Sequence, residues 1–155
     1  MTLLINPDRF KQDFDALAQI GATSDGGVHR PALSEANLEA RRWFLARAAE
    51  AGLETRVDSA GNHSAILRSP TPPHARTLLL GSHTDSVPNG GRFDGALGVV
   101  AALEAVRAIK EAGLSLPVNL EVIDFTDEEG TLVGILGSQA VAGQLTAETL
   151  AKPRG

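Results

Sequence analysis

The sequence contains no cysteine, which excludes disulfide bonds and thiolate chemistry. Any metal ion bound by this chain must therefore be held by histidine and carboxylate side chains. Aromatic residues are few, five phenylalanines and one tryptophan, and no basic run offsets the net charge of −5. This composition argues against nucleic acid as a partner.

Long hydrophobic runs are also missing. No stretch approaches the roughly 18 unbroken apolar residues that a membrane-spanning helix needs. The N-terminus has neither the basic flank nor the small-residue cleavage site of a signal peptide, so we expect a cytoplasmic protein without a membrane partner. The 155 residues, 43% of them hydrophobic and 21% charged, are enough for one domain with its own core.

Hydrophobic spacing and capping residues predict an α/β protein with the order helix, helix, strand, strand, strand, helix, strand, helix. The first two helices are expected within residues 6–21 and 34–52, and two short strands joined at Gly61-Asn62 follow. The segment "RTLLLGSH" is typical of a buried strand in a parallel sheet. It begins a β-α-β crossover predicted to span residues 77–125.

The stretch "GSHTDSVPNGGRFDG", residues 81–95, leads from this strand into a glycine-rich loop. His83 and Asp85 are two residues apart, so both side chains point the same way. Asp85 is thus placed to accept a hydrogen bond from the second nitrogen of a metal-ligating His83. Asp94 stands at the N-terminus of the crossover helix.

Three consecutive acidic residues, Asp127, Glu128 and Glu129, follow the next strand. Ligands of α/β proteins bind beyond the carboxyl ends of the strands, so these loops are expected to converge. Unpaired carboxylates would repel one another there, and a pair of divalent cations bridged by Asp94 would relieve that repulsion. One of the two glutamates would be a ligand and the other a general base beside a metal-bound water.

Each of these motifs also has a simpler interpretation. A lone His-x-Asp pair is more often a surface histidine near a solvated carboxylate, "DEE" is more often a solvated loop, and "GGRFDG" is compatible with a simple turn. Their occurrence at successive strand ends favours the metal site. The other histidines, His29, His63 and His74, lack such company and are predicted to be ordinary surface or turn residues.

Three segments of the sequence resemble one known family. They are "GSHTDSVPNGGRFDGALGVVAALEAVR", "FTDEEGTLVGILGSQAVAG" and "GGVHRPALSEANLEARRWFLARAAEAGLETRVDSAGN". This family is the amidase/carbamoylase branch of the dinuclear-metal aminoacylase and carboxypeptidase superfamily, which includes N-carbamoyl-L-amino-acid hydrolases, allantoate amidohydrolases and β-ureidopropionases. The resemblance implies that His83 is a metal ligand, Asp94 bridges two ions and Glu129 binds the second ion. It makes Glu128 the general base, with Asp85 behind His83.

The resemblance also implies the fold and the reaction. The fold would be a three-layer αβα arrangement around a mixed, mostly parallel sheet, as part of a zinc-peptidase-like catalytic domain. The cofactors would be two divalent ions, zinc or manganese and occasionally nickel or cobalt. The reaction would be hydrolysis of a non-peptide C–N bond in a ureido or amidine group of a small carboxylate substrate.

In its length the sequence departs from that family, whose members run to more than twice 155 residues. Residues 1–155 are therefore expected to be an N-terminal part of the catalytic domain. The family's two further metal-ligating histidines and its smaller domain, which mediates homodimerisation, would be absent. Two alternatives stay open: a peptidase or deacylase of the same superfamily, and a catalytically dead remnant.

Overall fold

The computed structural model describes residues 3–70 and 75–151. His74 lies outside these residues, and so does the prediction made for it. The elements occur in the predicted order, with one further short helix at the end. They are α1 (Pro7–Gln19), α2 (Glu35–Glu50), β1 (Glu54–Val57), β2 (His63–Leu67), β3 (Thr77–His83), α3 (Ala96–Glu111), β4 (Asn119–Phe125), α4 (Leu136–Val141) and α5 (Ala147–Leu150).

The helices begin at the capping residues that the sequence indicates. The Asn6 side chain accepts a hydrogen bond from the backbone N–H of Arg9 at the start of α1. The Ser34 hydroxyl accepts one from the backbone N–H of Asn37 at the start of α2. Such caps satisfy donors that the first helical turn leaves free. Among the described residues, no helix is long and apolar enough to cross a membrane.

The strands form one four-stranded sheet in the order β1-β2-β4-β3. β1 pairs antiparallel with β2, and β2 pairs antiparallel with β4. β3 and β4 pair in parallel, with His83 opposite Phe125. The α/β class, the mixed sheet and the crossover are confirmed. The parallel share is smaller than expected, because the β1–β2 hairpin places β2 antiparallel against β4.

The prediction that β3 is a buried strand is wrong. β3 lies at the edge of the sheet, and Leu78 and Leu79 are 51% and 36% exposed. The apolar run belongs to a parallel pair, as its composition suggests, but among residues 3–70 and 75–151 only one side of the strand is paired. β2 and β4 are the interior strands, and their central residues are buried.

The main core lies between one face of the sheet and helices α2 and α3. Phe44 of α2, Leu103 of α3 and Val122 of β4 are fully buried there. Helix α1 packs against α3 through a second apolar cluster that includes Leu17. This packing holds the ends of β3 and β4 side by side, with the start of α3 next to them.

Candidate metal centre

Three of the predicted residues meet where β3 and β4 end. His83 closes β3, Asp94 precedes α3, and Glu129 lies in the loop after β4. The His83 Nε2 atom is 3.9 Å from Asp94 Oδ1 and 3.7 Å from Glu129 Oε1. Within residues 3–70 and 75–151 they are the one group of three such side chains whose ligand atoms lie within 4.8 Å of one another. We call them the His–Asp–Glu cluster.

The spacing of the cluster suits a divalent ion. Bonds of about 2.0–2.2 Å to nitrogen and oxygen in a tetrahedral site place the ligand atoms roughly 3.4 Å apart. The two separations from His83 Nε2, 3.7 and 3.9 Å, are only a few tenths of an ångström longer. One imidazole nitrogen with two carboxylates is a donor set that suits zinc and manganese. The Asp94 side chain is 77% exposed, so the cluster opens to solvent.

Asp85 lies behind His83, turned into the protein. Its side chain is fully buried, and Oδ1 is 3.5 Å from His83 Nδ1. The same ring nitrogen is 3.0 Å from the backbone carbonyl oxygen of Asp85. The Asp85 carboxylate also accepts hydrogen bonds from the backbone N–H groups of Glu129, at 3.0 Å, and Glu128, at 3.4 Å. One buried carboxylate therefore joins the two loops.

Electrostatics favour a positive charge at this point. Burial disfavours protonation of His83, but the contact with Asp85 outweighs it, and Glu129 adds to it, so the pKa of His83 rises to about 9. Burial and the charges of Asp94 and Asp85 raise the pKa of Glu129, although His83 opposes them. The metal-free cluster thus holds an imidazolium among carboxylates, and a divalent cation would take the place of its proton.

Glu128 lies beside the cluster but points toward α4. Its two carboxylate oxygens accept hydrogen bonds from the backbone N–H and the hydroxyl of Ser138, each at 2.9 Å. Glu128 and Glu129 line the same open cavity of about 400 Å³, together with Gln139 and Thr149. The structure therefore places the two glutamates at one cavity, with only Glu129 in the His–Asp–Glu cluster.

Asp127, the first residue of the acidic run, is buried and shapes the loop. Its backbone has a φ of 55°, and its carboxylate accepts hydrogen bonds from the N–H groups of Leu132, Val133 and Gly134. This turn carries Glu128 and Glu129 toward the end of β3.

Gly95 lets α3 begin directly against the imidazole. Its φ is +64°, and a Cβ atom at this position would lie 2.5 Å from His83 Nδ1 and 2.4 Å from the His83 carbonyl oxygen. Both the backbone conformation and the space therefore require glycine. The glycine next to Asp94 keeps the cluster compact.

Sequence reasoning missed a network of buried polar residues below the cluster. Thr84, Asp124 and Arg41 are at most 2% exposed, and complete burial raises the pKa of Asp124 to about 6. Asp124 faces the core on the same side of β4 as Leu120 and Val122, where an apolar residue is expected. A charged residue in that alternating run is the signal that could have revealed the network.

The histidines outside the cluster differ from each other. His29 is exposed, as predicted. His63 is half-buried on β2, so its prediction as an ordinary surface or turn residue is wrong. Its Nδ1 atom lies 2.8 Å from the Gly61 carbonyl oxygen and 3.1 Å from Arg41 Nη1. Burial and the charge of Arg41 lower the pKa of His63.

Comparison with known proteins finds relatives of this chain in a peptidase family and among amidohydrolases. The family model described as Peptidase family M28 matches residues 62–152. The chain is 39% identical over 153 residues to the N-carbamoyl-L-amino-acid amidohydrolase of Pseudomonas sp. (strain NS671), covering 97% of this chain and 37% of that protein. It is 35% identical over 140 residues to the allantoate amidohydrolase of Bacillus subtilis (strain 168), covering 89% of this chain and 34% of that protein.

A solved structure agrees over the whole chain. The crystal structure of an amidase of the hydantoinase/carbamoylase family from Burkholderia phymatum matches with a TM-score of 0.89 at 36% identity. The match covers 100% of this chain and 37% of that one. The resemblance drawn from the motifs is confirmed, and the chain spans about a third of the length of these relatives.

Proposed function

We propose, from the premise that this chain belongs to Peptidase family M28, that it forms part of a metal-dependent hydrolase of carbon–nitrogen bonds other than peptide bonds. The observation that carries the proposal is the convergence of His83, Asp94 and Glu129 at the ends of β3 and β4. The comparison with known proteins also supports the proposal, because two relatives that are 39% and 35% identical to this chain are named amidohydrolases.

In this proposal His83, Asp94 and Glu129 hold two divalent ions, zinc or manganese. Asp94, which stands at the start of α3 and is the most exposed member of the cluster, would be the ligand that serves both ions. When bound, such ions supply Lewis acidity and lower the pKa of a coordinated water toward about 7. Asp85 holds the tautomer and the direction of the His83 ring.

Glu128 is proposed as the general base. Ser138 occupies one lone pair on each of its carboxylate oxygens and fixes their direction, which leaves further lone pairs free to accept a proton. Its place on the wall of the cavity shared with Glu129 brings it near the reacting group. It would take a proton from the attacking water and deliver it to the departing nitrogen.

The proposed substrates are small carboxylic acids that carry a carbamoyl or ureido group. This follows the names of the relatives, which act on N-carbamoyl-L-amino acids and allantoate. A second candidate is a peptidase or deacylase, which the name of the matching family model favours. The homodimer and the cytoplasmic location stay predictions of the sequence.

For the 155-residue chain alone we propose weak metal binding and slow turnover. Three protein ligands shared by two ions are few, because a catalytic zinc ordinarily has three of its own. The chain also spans about a third of its relatives' length. We therefore propose full activity for the full-length family members and not for residues 1–155 alone.

The test combines metal binding with a substrate panel. The purified chain is titrated with zinc and with manganese, then assayed with an N-carbamoyl amino acid, a ureido acid, an N-acyl amino acid and a dipeptide. Metal binding that weakens in Asp94→Ala, and any carbamoyl or ureido turnover that disappears in Glu128→Gln, would support the proposal. Absence of metal binding would contradict it, and turnover of the dipeptide or acyl amino acid alone would favour the second candidate.

A further inference from the structure

Thr84, the residue between His83 and Asp85, is fully buried, and each of its polar atoms takes part in a hydrogen bond. Its backbone N–H donates to Asp124 Oδ1 at 2.7 Å, and its hydroxyl donates to Asp124 Oδ2 at 2.9 Å. Its carbonyl oxygen accepts a hydrogen bond from Nε of Arg30. The Asn37 side-chain amide lies 3.4 Å from the hydroxyl oxygen.

These bonds fix both peptide planes on either side of Thr84. The bond from Thr84 N–H holds the His83–Thr84 peptide, and the bond to Thr84 carbonyl holds the Thr84–Asp85 peptide. Rotation of either plane would swing a neighbouring side chain away from its partners. The directions of the His83 ring and of the Asp85 carboxylate are therefore set from the buried side, by Asp124 and Arg30.

Packing alone does not explain Asp124. It is fully buried on the core side of β4, and an apolar residue there would avoid the cost of removing a carboxylate from water. The Nε atom of Arg41 is 3.8 Å from Asp124 Oδ2, and Arg41 itself donates to the carbonyl oxygens of Gly61 and Phe125. Each oxygen of the Asp124 carboxylate accepts a hydrogen bond from Thr84, Oδ1 from the backbone N–H and Oδ2 from the hydroxyl.

We propose that Asp124 is a positioning residue for the metal centre and acts through the hydrogen bonds to Thr84. The inference rests on the proposed function in one respect, that His83 is a metal ligand. Asp124 is fully buried and is not a member of the His–Asp–Glu cluster. It keeps His83 Nε2 facing Asp94 and Glu129, at the distances of 3.9 and 3.7 Å.

Two substitutions at Thr84 separate hydrogen bonding from packing. Thr84→Val keeps the shape of the side chain and loses the hydroxyl, so the buried Asp124 Oδ2 loses its donor and the carboxylate holds the Thr84 N–H less firmly. Thr84→Ser keeps the hydroxyl and loses the methyl group. We expect Thr84→Val to weaken zinc binding by the 155-residue chain by about tenfold or more, the usual effect of losing support behind a ligand. We expect Thr84→Ser to bind zinc as the unchanged chain does.

The same two variants are compared without metal by NMR of the His83 ring. Thr84→Val should shift the ring resonances, and Thr84→Ser should leave them in place. If Thr84→Val matches the unchanged chain, or if Thr84→Ser is the more impaired of the two, the inference is overturned. If the unchanged chain binds no zinc, the proposed function fails, and the NMR comparison still decides whether Thr84 positions His83.

Asp124→Asn, with Asp13→Asn as its matched control, tests the carboxylate itself. Asp13 is a buried carboxylate paired with Arg107 between α1 and α3, away from Thr84. An asparagine at 124 offers one acceptor instead of two, so zinc affinity and the His83 resonances should both change. Asp13→Asn should alter neither of them. Equal effects of the two variants would show that only general destabilisation is being measured, and would overturn the inference.

Discussion

At the scale of single residues, Asp85 connects more of the site than its position behind a histidine suggests. Its Oδ1 atom is 3.5 Å from His83 Nδ1, and its carboxylate accepts hydrogen bonds from the backbone N–H groups of both Glu128 and Glu129. The loops after β3 and β4 are thus held to the same two oxygen atoms. Loss of the carboxylate should affect the ring, the loop and metal binding together.

Asp85→Asn should lower the pKa of His83 from about 9 toward its ordinary value near 6.5. In the metal-free chain the folded state holds the His83 proton more tightly than the unfolded state does. The resulting stabilisation is fully present below pH 6.5 and is lost as the pH rises to about 9. Denaturation of both proteins across pH 6–9.5 should show this fall for the unchanged chain and a flatter profile for Asp85→Asn. Equal slopes would contradict the pairing.

Gly95→Ala should lower both stability and metal affinity. Gly143→Ala is the matched control, because Gly143 has a φ of +68° but no atom within 4 Å of an added Cβ. The control should lose about 1–2 kcal/mol of unfolding free energy, the cost of the left-handed conformation. Gly95→Ala adds a collision with His83 and should lose more. Urea denaturation and zinc titration measure the two effects, and equal losses would show that the contact with the imidazole does not matter.

At the scale of elements, the middle of α2 meets the end of β4 through Arg41. Its guanidinium donates to the Gly61 and Phe125 carbonyl oxygens and to the Thr126 hydroxyl, and it lies beside the Asp124 carboxylate. The helix is thereby tied to the strand end from which the loop containing Glu129 departs. This contact depends on charge buried in the core.

Arg41→Ala should destabilise the chain by about 3–5 kcal/mol, because it leaves the buried Asp124 without its counter-charge. Arg42→Ala is the control. Arg42 is the next residue of α2, is 64% exposed and pairs with Glu35 on the surface. Its removal should leave the unfolding free energy almost unchanged. Thermal or urea denaturation gives both values. Similar losses in the two variants would contradict a role for the buried pair.

The elements themselves could be predicted from the sequence because their signals are local. Asn6, Ser34 and the glycines after the helices lie next to the segments that they begin or end. The position of β3 at the edge of the sheet could not be predicted, since strand order depends on contacts between distant segments. The pairing of Asp124 with Thr84 and Arg41 joins three separate elements, so no spacing along the chain indicates it.

The site was predictable to a similar degree. The convergence of His83, Asp94 and Glu129 follows from the rule that ligands bind at the carboxyl ends of strands. The rule does not determine side-chain directions. Glu128 is directed to Ser138 by the turn that Asp127 organises, and this turn depends on a backbone with positive φ. The metal-binding and catalytic roles of these residues remain predictions.

At the scale of the whole molecule, the exposed edge of the sheet predicts self-association. In the part of the chain that the structure describes, no strand pairs with the outer side of β3, and the strand carries the exposed Leu78 and Leu79. Such an edge is a favourable template for pairing with another chain. Sedimentation velocity over a range of concentrations should therefore show dimers or larger species. Leu78→Lys should shift the distribution toward monomer.

Leu114→Lys is the control for that experiment. Leu114 is exposed to a similar extent, 44%, but follows α3 and lies outside the edge strand. It should leave the distribution unchanged. A monomer at every concentration, or an equal effect of both lysines, would contradict association through β3.

Metal binding by His83, Asp94 and Glu129 is the property on which the other proposed roles depend. Crystals of the chain grown with zinc, measured on both sides of the zinc absorption edge, test it directly. We expect anomalous peaks at the cluster, each about 2.0–2.2 Å from the ligand atoms that hold it, with His83 Nε2 and the carboxylate oxygens of Asp94 and Glu129 all among those ligand atoms. Zinc bound at another position, with the cluster free of metal, would contradict it.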